Sequence, residues 1–521
     1  MSRVNGGRSR MSNKEAAIPT GKLVLELDRN VQTLQDVFTD CADVIFRQLT
    51  VVNGTKACLI YIGGLVETKE LSDNALRPFI EASTALGDES SPAKLLSESL
   101  LSVPSSTTFT RLADIVSELT EGSAVLLMDQ CAEAVIVRVK GGSRRSVEQS
   151  TTEVSIRGPK EAFTEDIQKN TALLRFKMKT PQLKMVSALV GEQTKTTVYV
   201  AYLKDVADEQ IVQKVLERIR AIQIDGVLES GYIEEFIEDH PFSPFPQLQY
   251  TERPDTAAAM LLEGRVIVLV DGTPFVLSGP ITFWQLMHSS EDYYERYFIG
   301  NLLRWLRYSF LFVALYLPAL YIAVTTFHQD MLPTSLVFSI AAAREAIPFP
   351  ALIEALIMEI SFEALREAGI RLPKVIGQAV SILGALVIGQ SAVEAGIVSA
   401  PVVIVVSLTG IASFTIPRFN LAITVRMLRF PLMLLASMFG VYGVVMGTVW
   451  TVIHLCGLTS LGVPYLTGVA PFRKGDQKDI LIRAPWWAMS RRPSFSSRNR
   501  NRMKNGRLSQ GGDSKDGGKS P

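Results

Sequence analysis

The chain has 521 residues, with 53 Lys and Arg against 52 Asp and Glu, a formal net charge of +1. That length exceeds one ordinary domain, and the even balance supplies no large basic field, so no nucleic-acid partner is expected. The averages conceal three zones: a soluble-looking chain to about residue 307, an apolar zone at 308–472, and a basic tail at 473–521 that is expected to be disordered. Cys41, Cys58, Cys131 and Cys456 lie far apart. Their spacing argues against a zinc site or a disulfide framework and suits a reducing compartment. Residues 1–30 read as a disordered basic lead without the apolar core of a secretory signal.

In chain order, the spacing of Val31, Leu34, Val37, Phe38, Cys41 and Ile45 predicts a helix over 31–49. The run ACLIYI at 57–62, closed by Gly63-Gly64, predicts a buried strand and turn. A helix near 73–82, a Ser-rich loop at 88–110, a helix at 112–119 and strands at 123–128 and 134–139 complete a first α/β lobe, 31–140. A polar connector at 141–160 carries Arg144 and Arg145. The second lobe, 161–307 with its juxtamembrane region, is expected to hold helices at 161–176, 209–222 and 256–262. Its expected strands are 184–190, 196–203 and 265–270. No catalytic motif emerges. Gly191–Lys195 resembles a phosphate loop only faintly and lacks the glycine before the lysine. The four histidines, His240, His288, His328 and His454, have no metal spacing and read as ordinary polar residues. The sequence supports no enzyme, no cofactor and no metal site.

The apolar zone predicts a span at 308–327, introduced by Arg304 and Arg307, which places the preceding lobes in the cytosol. A return at 336–358 is interrupted by Arg344, Glu345 and two prolines, after which Arg371 and Lys374 are again inside. Spans at 375–394 and 397–416 follow, their glycines suited to close helix packing. Arg418, Arg426 and Arg429 mark a cytosolic loop, and 431–455 crosses outward. This count leaves the basic tail outside, against the positive-inside rule. Either 458–472 returns as a short re-entrant segment, or an earlier interrupted segment does not cross.

The stretch IPFPALIEALIMEISFEALREAGIRLPK at 347–374 stands out. Read as a helix after Pro350, it places Glu359, Glu363 and Glu367 on one face and Glu354 on the opposite one. Ionisable groups at bilayer depth face a water-filled path, a partner or the interface. Glu359, Glu363 and Glu367 are thus candidates for an ion path. Two plainer readings stay open: an interfacial helix, or acids paired with Arg366 and Arg371.

Several long stretches carry a family resemblance: LIYIGGLVETKELSDNALRPF (59–79), TERPDTAAAMLLEGRVIVLVDGTPF (251–275), SSEDYYERYFIGNLLRWLR (289–307) and the run 347–401. Over about 31–472 the chain resembles the A subunits of spore germination receptors, the GerA family. Departures occur at Gln149-Ser150 and Lys160–Phe163, where the family pattern has a proline and a glycine. The resemblance implies an α/β cytosolic part of two small lobes followed by an α-helical polytopic membrane domain. It also implies residence in the spore inner membrane or cell membrane and a transporter-like B subunit and a lipoprotein C subunit as partners. A further implication is homo-oligomers in membrane lipid that conduct cations to help trigger germination. A non-conducting signal-transducing scaffold and a carrier are the alternatives.

Overall fold

The computed structural model describes residues 21–50, 55–73, 106–139, 155–373, 387–496 and 501–502, with single positions 77, 141, 150, 153 and 384. The connector arginines Arg144 and Arg145, Gln149 and Lys374 lie outside the described residues, as do most of the helix expected near 73–82 and most of the span expected at 375–394.

The first lobe is an antiparallel sheet of β1 (Val44–Thr50), β2 (Lys56–Ile62), β3 (Ser106–Phe109), β4 (Ala124–Met128) and β5 (Ala134–Val137), in the order β1-β2-β4-β5-β3. Helices α1 (Leu27–Val37) and α2 (Leu112–Glu121) cover one face through Leu34, Ile115, Val116 and Leu119. The central strands are buried along their length, which is why KACLIYI, AVLLM and AVIV are nearly continuous apolar runs rather than alternating ones. The helix expected over 31–49 ends at Val37 instead. Asp40 adopts a left-handed φ of 60° and turns the chain into β1. The Ser-rich loop expected at 88–110 contains β3, and the lead expected to be disordered to residue 30 holds the start of α1 at Leu27.

The second lobe repeats the plan: β6 (Leu183–Val190), β7 (Thr196–Leu203), β8 (Gln249–Thr251), β9 (Val266–Val270) and β10 (Val276–Gly279), ordered β6-β7-β9-β10-β8 and antiparallel throughout. One face packs on α3 (Ile167–Lys177) and α6 (Pro254–Leu262). The other packs on α4 (Glu209–Ala221) and α5 (Ser230–Ile237). α3 starts at Ile167 rather than 161 because the Asp166 carboxylate accepts from the amides of Gln168 and Lys169. Asp208 caps α4 in the same way, and Arg218 and Arg220 sit in its last turn, where the helix dipole favours cations. Gly191–Lys195, the faint phosphate loop, is the turn joining β6 to β7.

The lobes are tied side by side. Asp43 receives Arg175 Nε at 2.7 Å and Nη2 at 2.9 Å, both side chains buried, and Lys184 Nζ caps the end of α1 by donating to the Val37 carbonyl at 2.9 Å. Backbone bonds between Ala42 and Met185 and between Met185 and Asp40 complete the seam.

Beyond lobe 2 the chain is helical: α7 (Tyr297–Thr326), α8 (Thr334–Arg344), α9 (Ala351–Arg371), α10 (Ala400–Phe414) and the long segment Phe419–Gly457. α7 and Phe419–Gly457 are each long and apolar enough to cross a membrane. Phe419–Gly457 is not one rod. Gly440 has φ 63° and ψ −143°, a region essentially reserved for glycine, and splits it into α11 (419–439) and α12 (441–457). α12 then folds back on α11: a side chain at Gly443 would collide with the Leu435 carbonyl, and Gly447 lies against Leu432. The stretch expected to make one outward crossing at 431–455 is therefore a reversing hairpin. Its two ends meet the same lobe, with Thr424 bonded to Pro244, His454 to Ser243 at 2.8 Å, and Thr459 to Asp239 at 2.7 Å.

The tail also differs from expectation. Residues 473–496, read as disordered from sequence, form short 3-10 turns at Asp476–Asp479 and Trp486–Ala488 and pack onto the start of α7.

Candidate functional site

α9 is fixed at both ends by its own sequence. Pro350 precedes it, where a missing N–H costs nothing, and Pro373 follows the last turn. Its start lies beside the start of α10, with the Glu354 carboxylate accepting from the Ser399 amide at 2.8 Å. Its later turns lie beside the end of α10, with Arg366 reaching Ser413 at 3.4 Å. The two helices therefore run parallel. The last turn of α10 and Ile416 join Phe245 and Ile281 of lobe 2 in one apolar cluster.

The four carboxylates of α9 occupy different surroundings. Glu354 is fully buried and pairs with Arg344 at 3.1 Å. Glu359 is also buried and receives Arg429 Nη1 at 2.6 Å; Arg429 in turn donates Nε to the Ala314 carbonyl of α7 at 2.9 Å. That one pair joins α9, α11 and α7. Glu363, partly exposed, meets Arg366 at 2.7 Å and Arg426 at 3.7 Å. Glu367 is exposed and pairs with Arg371 one turn on, at 2.5 Å. Glu359, Glu363 and Glu367 thus follow one helical line, as their spacing predicts, but pass from buried to open along it. Each has an arginine partner within the chain. For Glu363 and Glu367 these include Arg366 and Arg371, the partners of the plainer reading.

Arg426, Arg429 and Arg344 were missed as site residues. Arg426 and Arg429, expected to mark a loop, are in α11, and Arg429 is among the largest fully buried side chains. The available signal was their position inside an apolar run, where a charge needs a partner.

The arginines expected to set topology differ from each other. Arg371 is exposed at the end of α9. Arg304 is fully buried, facing Asp292 at 3.7 Å and Asp479 of the tail at 3.2 Å, while Arg307 holds Asp292 at 2.7 Å. The Tyr293 hydroxyl donates to Asp479 at 2.9 Å, and the Arg483 guanidinium lies over the Tyr293 ring. Burial pushes the Asp479 carboxyl up to about 6, against the pull of Arg304, and holds His288 well below the usual imidazole range. Arg304 thus clamps the tail to the root of α7.

A cavity of about 720 Å³ opens between lobe 2 and α11, lined by Glu234, Glu235, Glu238, Phe236, Thr424 and Met427. Burial, then neighbouring Glu238, Glu229 and Glu235, push the Glu234 carboxyl up to about 8. No group of three or more His, Cys, Asp or Glu able to hold a metal occurs among the described residues.

The profile of the family described as Bacillus/Clostridium GerA spore germination protein matches residues 32–495. The chain is 60% identical over 472 residues to a Bacillus subtilis protein named uncharacterized membrane protein YfkQ, covering 91% of each. It is 43% identical over 476 residues to the Bacillus subtilis spore germination protein KA, covering 91% of this chain and 87% of that one. The crystal structure of the N-terminal domain of the A subunit of the Bacillus megaterium spore germinant receptor GerK3 is also similar. It shares 31% identity, with a TM-score of 0.41, over 51% of this chain and 98% of that one. With the family profile spanning both lobes, the helices and the docked tail, the chain belongs to the GerA family of spore germination proteins.

Proposed function

We propose that this chain is the A-type subunit of a nutrient-responsive germination receptor, embedded in the spore inner membrane with both lobes in the cytosol, and that its oligomer passes cations. Its partners in this reading are a transporter-like B subunit and a lipoprotein C subunit. Six crossings account for the helices: α7 outward, α9 back, the segment before α10 outward, α10 back, α11 outward and α12 back. Arg307 and Arg371 then flank helices on the lobe side, as basic residues retained in the cytosol do. The reversal at Gly440 supports this count, since a chain that turns back there would bring the basic tail to the lobe side.

The observation that carries the conducting reading is a helix inside an apolar bundle that bears Glu359, Glu363 and Glu367 at successive turns. In an oligomer these make carboxylate levels about 6 Å apart, a way to concentrate cations. A second reading, a non-conducting subunit that relays a partner's ligand binding, is favoured by the arginine opposite every one of these acids. The test is the reversal potential across bilayers holding the full chain, as wild type and with Glu363→Gln. Conduction whose cation preference falls in the variant supports the path. Absence of any current, with and without the partner subunits, supports the relay. Current of unchanged selectivity after neutralising all three acids removes the stripe from the path.

A further inference from the structure

The bundle carries more positive than negative charge near the foot of α9. The charged groups facing Arg426 are Arg366, Glu363 and Arg429, and Arg429 is already held by Glu359. Three guanidinium groups therefore meet two carboxylates. Arg366 and Arg426 share a single oxygen of Glu363, and Arg366 Nε is buried without a partner among the described residues. Arginine does not shed its proton in proteins, so the excess charge is permanent.

The location of that excess is informative. Thr424, two residues before Arg426, donates to the Pro244 carbonyl of lobe 2, and Arg366 reaches Ser413 in the last turn of α10. The two arginines therefore lie where lobe 2 meets the bundle, which is headgroup depth under the membrane placement above. Each is laid over an exposed ring: Arg366 4.9 Å from the centre of Phe414, which is 73% exposed, and Arg426 5.9 Å from the centre of Phe419, which is 51% exposed. Apolar rings turned outward beside partly screened guanidinium groups match a phospholipid, with acyl chains against the rings and phosphate against the charge.

We propose that Arg366 and Arg426 form a binding site for the phosphate of an anionic phospholipid on the lobe side of the bilayer, with Glu363 as the internal competitor for the same two guanidinium groups. The proposal rests on the membrane placement and not on conduction. Lipid displaces or supplements Glu363, so the site links the lipid surface to the middle acid of α9.

The experiment titrates the purified full-length protein in neutral detergent with phosphatidylglycerol, phosphatidylcholine or inorganic phosphate, and counts retained lipid by native mass spectrometry. One unit of net surface charge gives about a fivefold preference for phosphatidylglycerol over phosphatidylcholine. Glu363→Gln removes the competitor, and the preference rises by about a further fivefold. The double variant Arg366→Gln/Arg426→Gln abolishes it. Equal retention of the two lipids by the wild type overturns the proposal, as does a preference that falls in Glu363→Gln, which decides the matter even where the double variant fails to fold. Displacement of phosphatidylglycerol by an equal concentration of inorganic phosphate overturns the lipid assignment in favour of a free anion. Because no flux is read, failure of conduction leaves this result independent.

Discussion

Removing the carboxylate of Glu359 while leaving Arg429 in place should strongly destabilise the helical part. At 2.6 Å and an effective dielectric of about 20 the attraction amounts to about 6 kcal/mol. Much of it is offset by taking two charges out of water, so the pair adds little over an apolar substitute. Its disruption is another matter. Glu359→Leu leaves a buried guanidinium whose remaining hydrogen bond, among the described residues, is to the Ala314 carbonyl, a loss of about 3–5 kcal/mol. Arg429→Met should lose a similar amount, while Glu359→Leu/Arg429→Met should return to within about 1 kcal/mol of wild type. The assay is equilibrium unfolding of the full-length protein in mixed micelles, run as a double-mutant cycle. A coupling energy below about 1 kcal/mol would refute the reasoning, because it would mean that the two side chains do not depend on each other.

Three further outcomes are expected. Gly440→Ala places a Cβ 2.7 Å from the His328 ring and forces a left-handed φ on alanine. The hairpin should open or fail to form, so a protease site placed in the tail at about residue 510 should change sides relative to lobe 2; an unchanged cleavage pattern would contradict the reversal. Arg304→Met should release the docked tail, read as faster proteolysis within 473–496, and equal protection in variant and wild type would show that Asp479 and Asp292 do not need it. Burial raises Glu234 to about 8, so the folded chain holds a proton there that the unfolded chain releases above about 4.5. Stability from this group is therefore lost as pH rises through that window. Glu234→Gln should gain on wild type as pH goes from about 5 to about 8, and a gain independent of pH would count against the burial argument.

The lobes were legible where local chemistry and tertiary structure agree. Central strands such as Ala124–Met128 and the capped helix Glu209–Ala221 were visible because buried strands are continuously apolar and amphipathic helices repeat every 3.6 residues. β1 was not, because Cys41 and Ile45 continue a helical spacing from Val37, and Asp40, though a residue that tolerates left-handed backbone, makes its turn with no glycine or proline beside it to mark the break. The hairpin was hidden because Gly440 and Gly443 in an apolar run look the same whether they allow helix packing or reverse the chain. The stripe of acids could be read from its spacing. The pairing of Glu363 and Glu367 with Arg366 and Arg371 was among the readings the spacing left open, whereas that of Glu359 could not be read, since Arg429 lies 70 residues away and the pair exists only once α9 and α11 meet. The tail looked disordered for the same reason: its order comes from Arg304, Tyr293 and Asn301, far away in sequence.

Lobe 2 holds the bundle at both of its ends. The root of α7 is pinned to it and to the tail by Arg304 and Arg307, and the end of α12 is seated on it by Thr459 and Tyr465. A rotation of the lobe would move the first and last helices together, as a wrench turns a nut by opposite flats. Among the described residues, α9 has no such grip. The partners of its charged side chains all lie within the bundle, on α8, α10, α11, the turn at Ser399 or α9 itself. Under such a rotation the charged helix would be the element that lags, and the shear would fall on the contacts of Glu359 and Glu363.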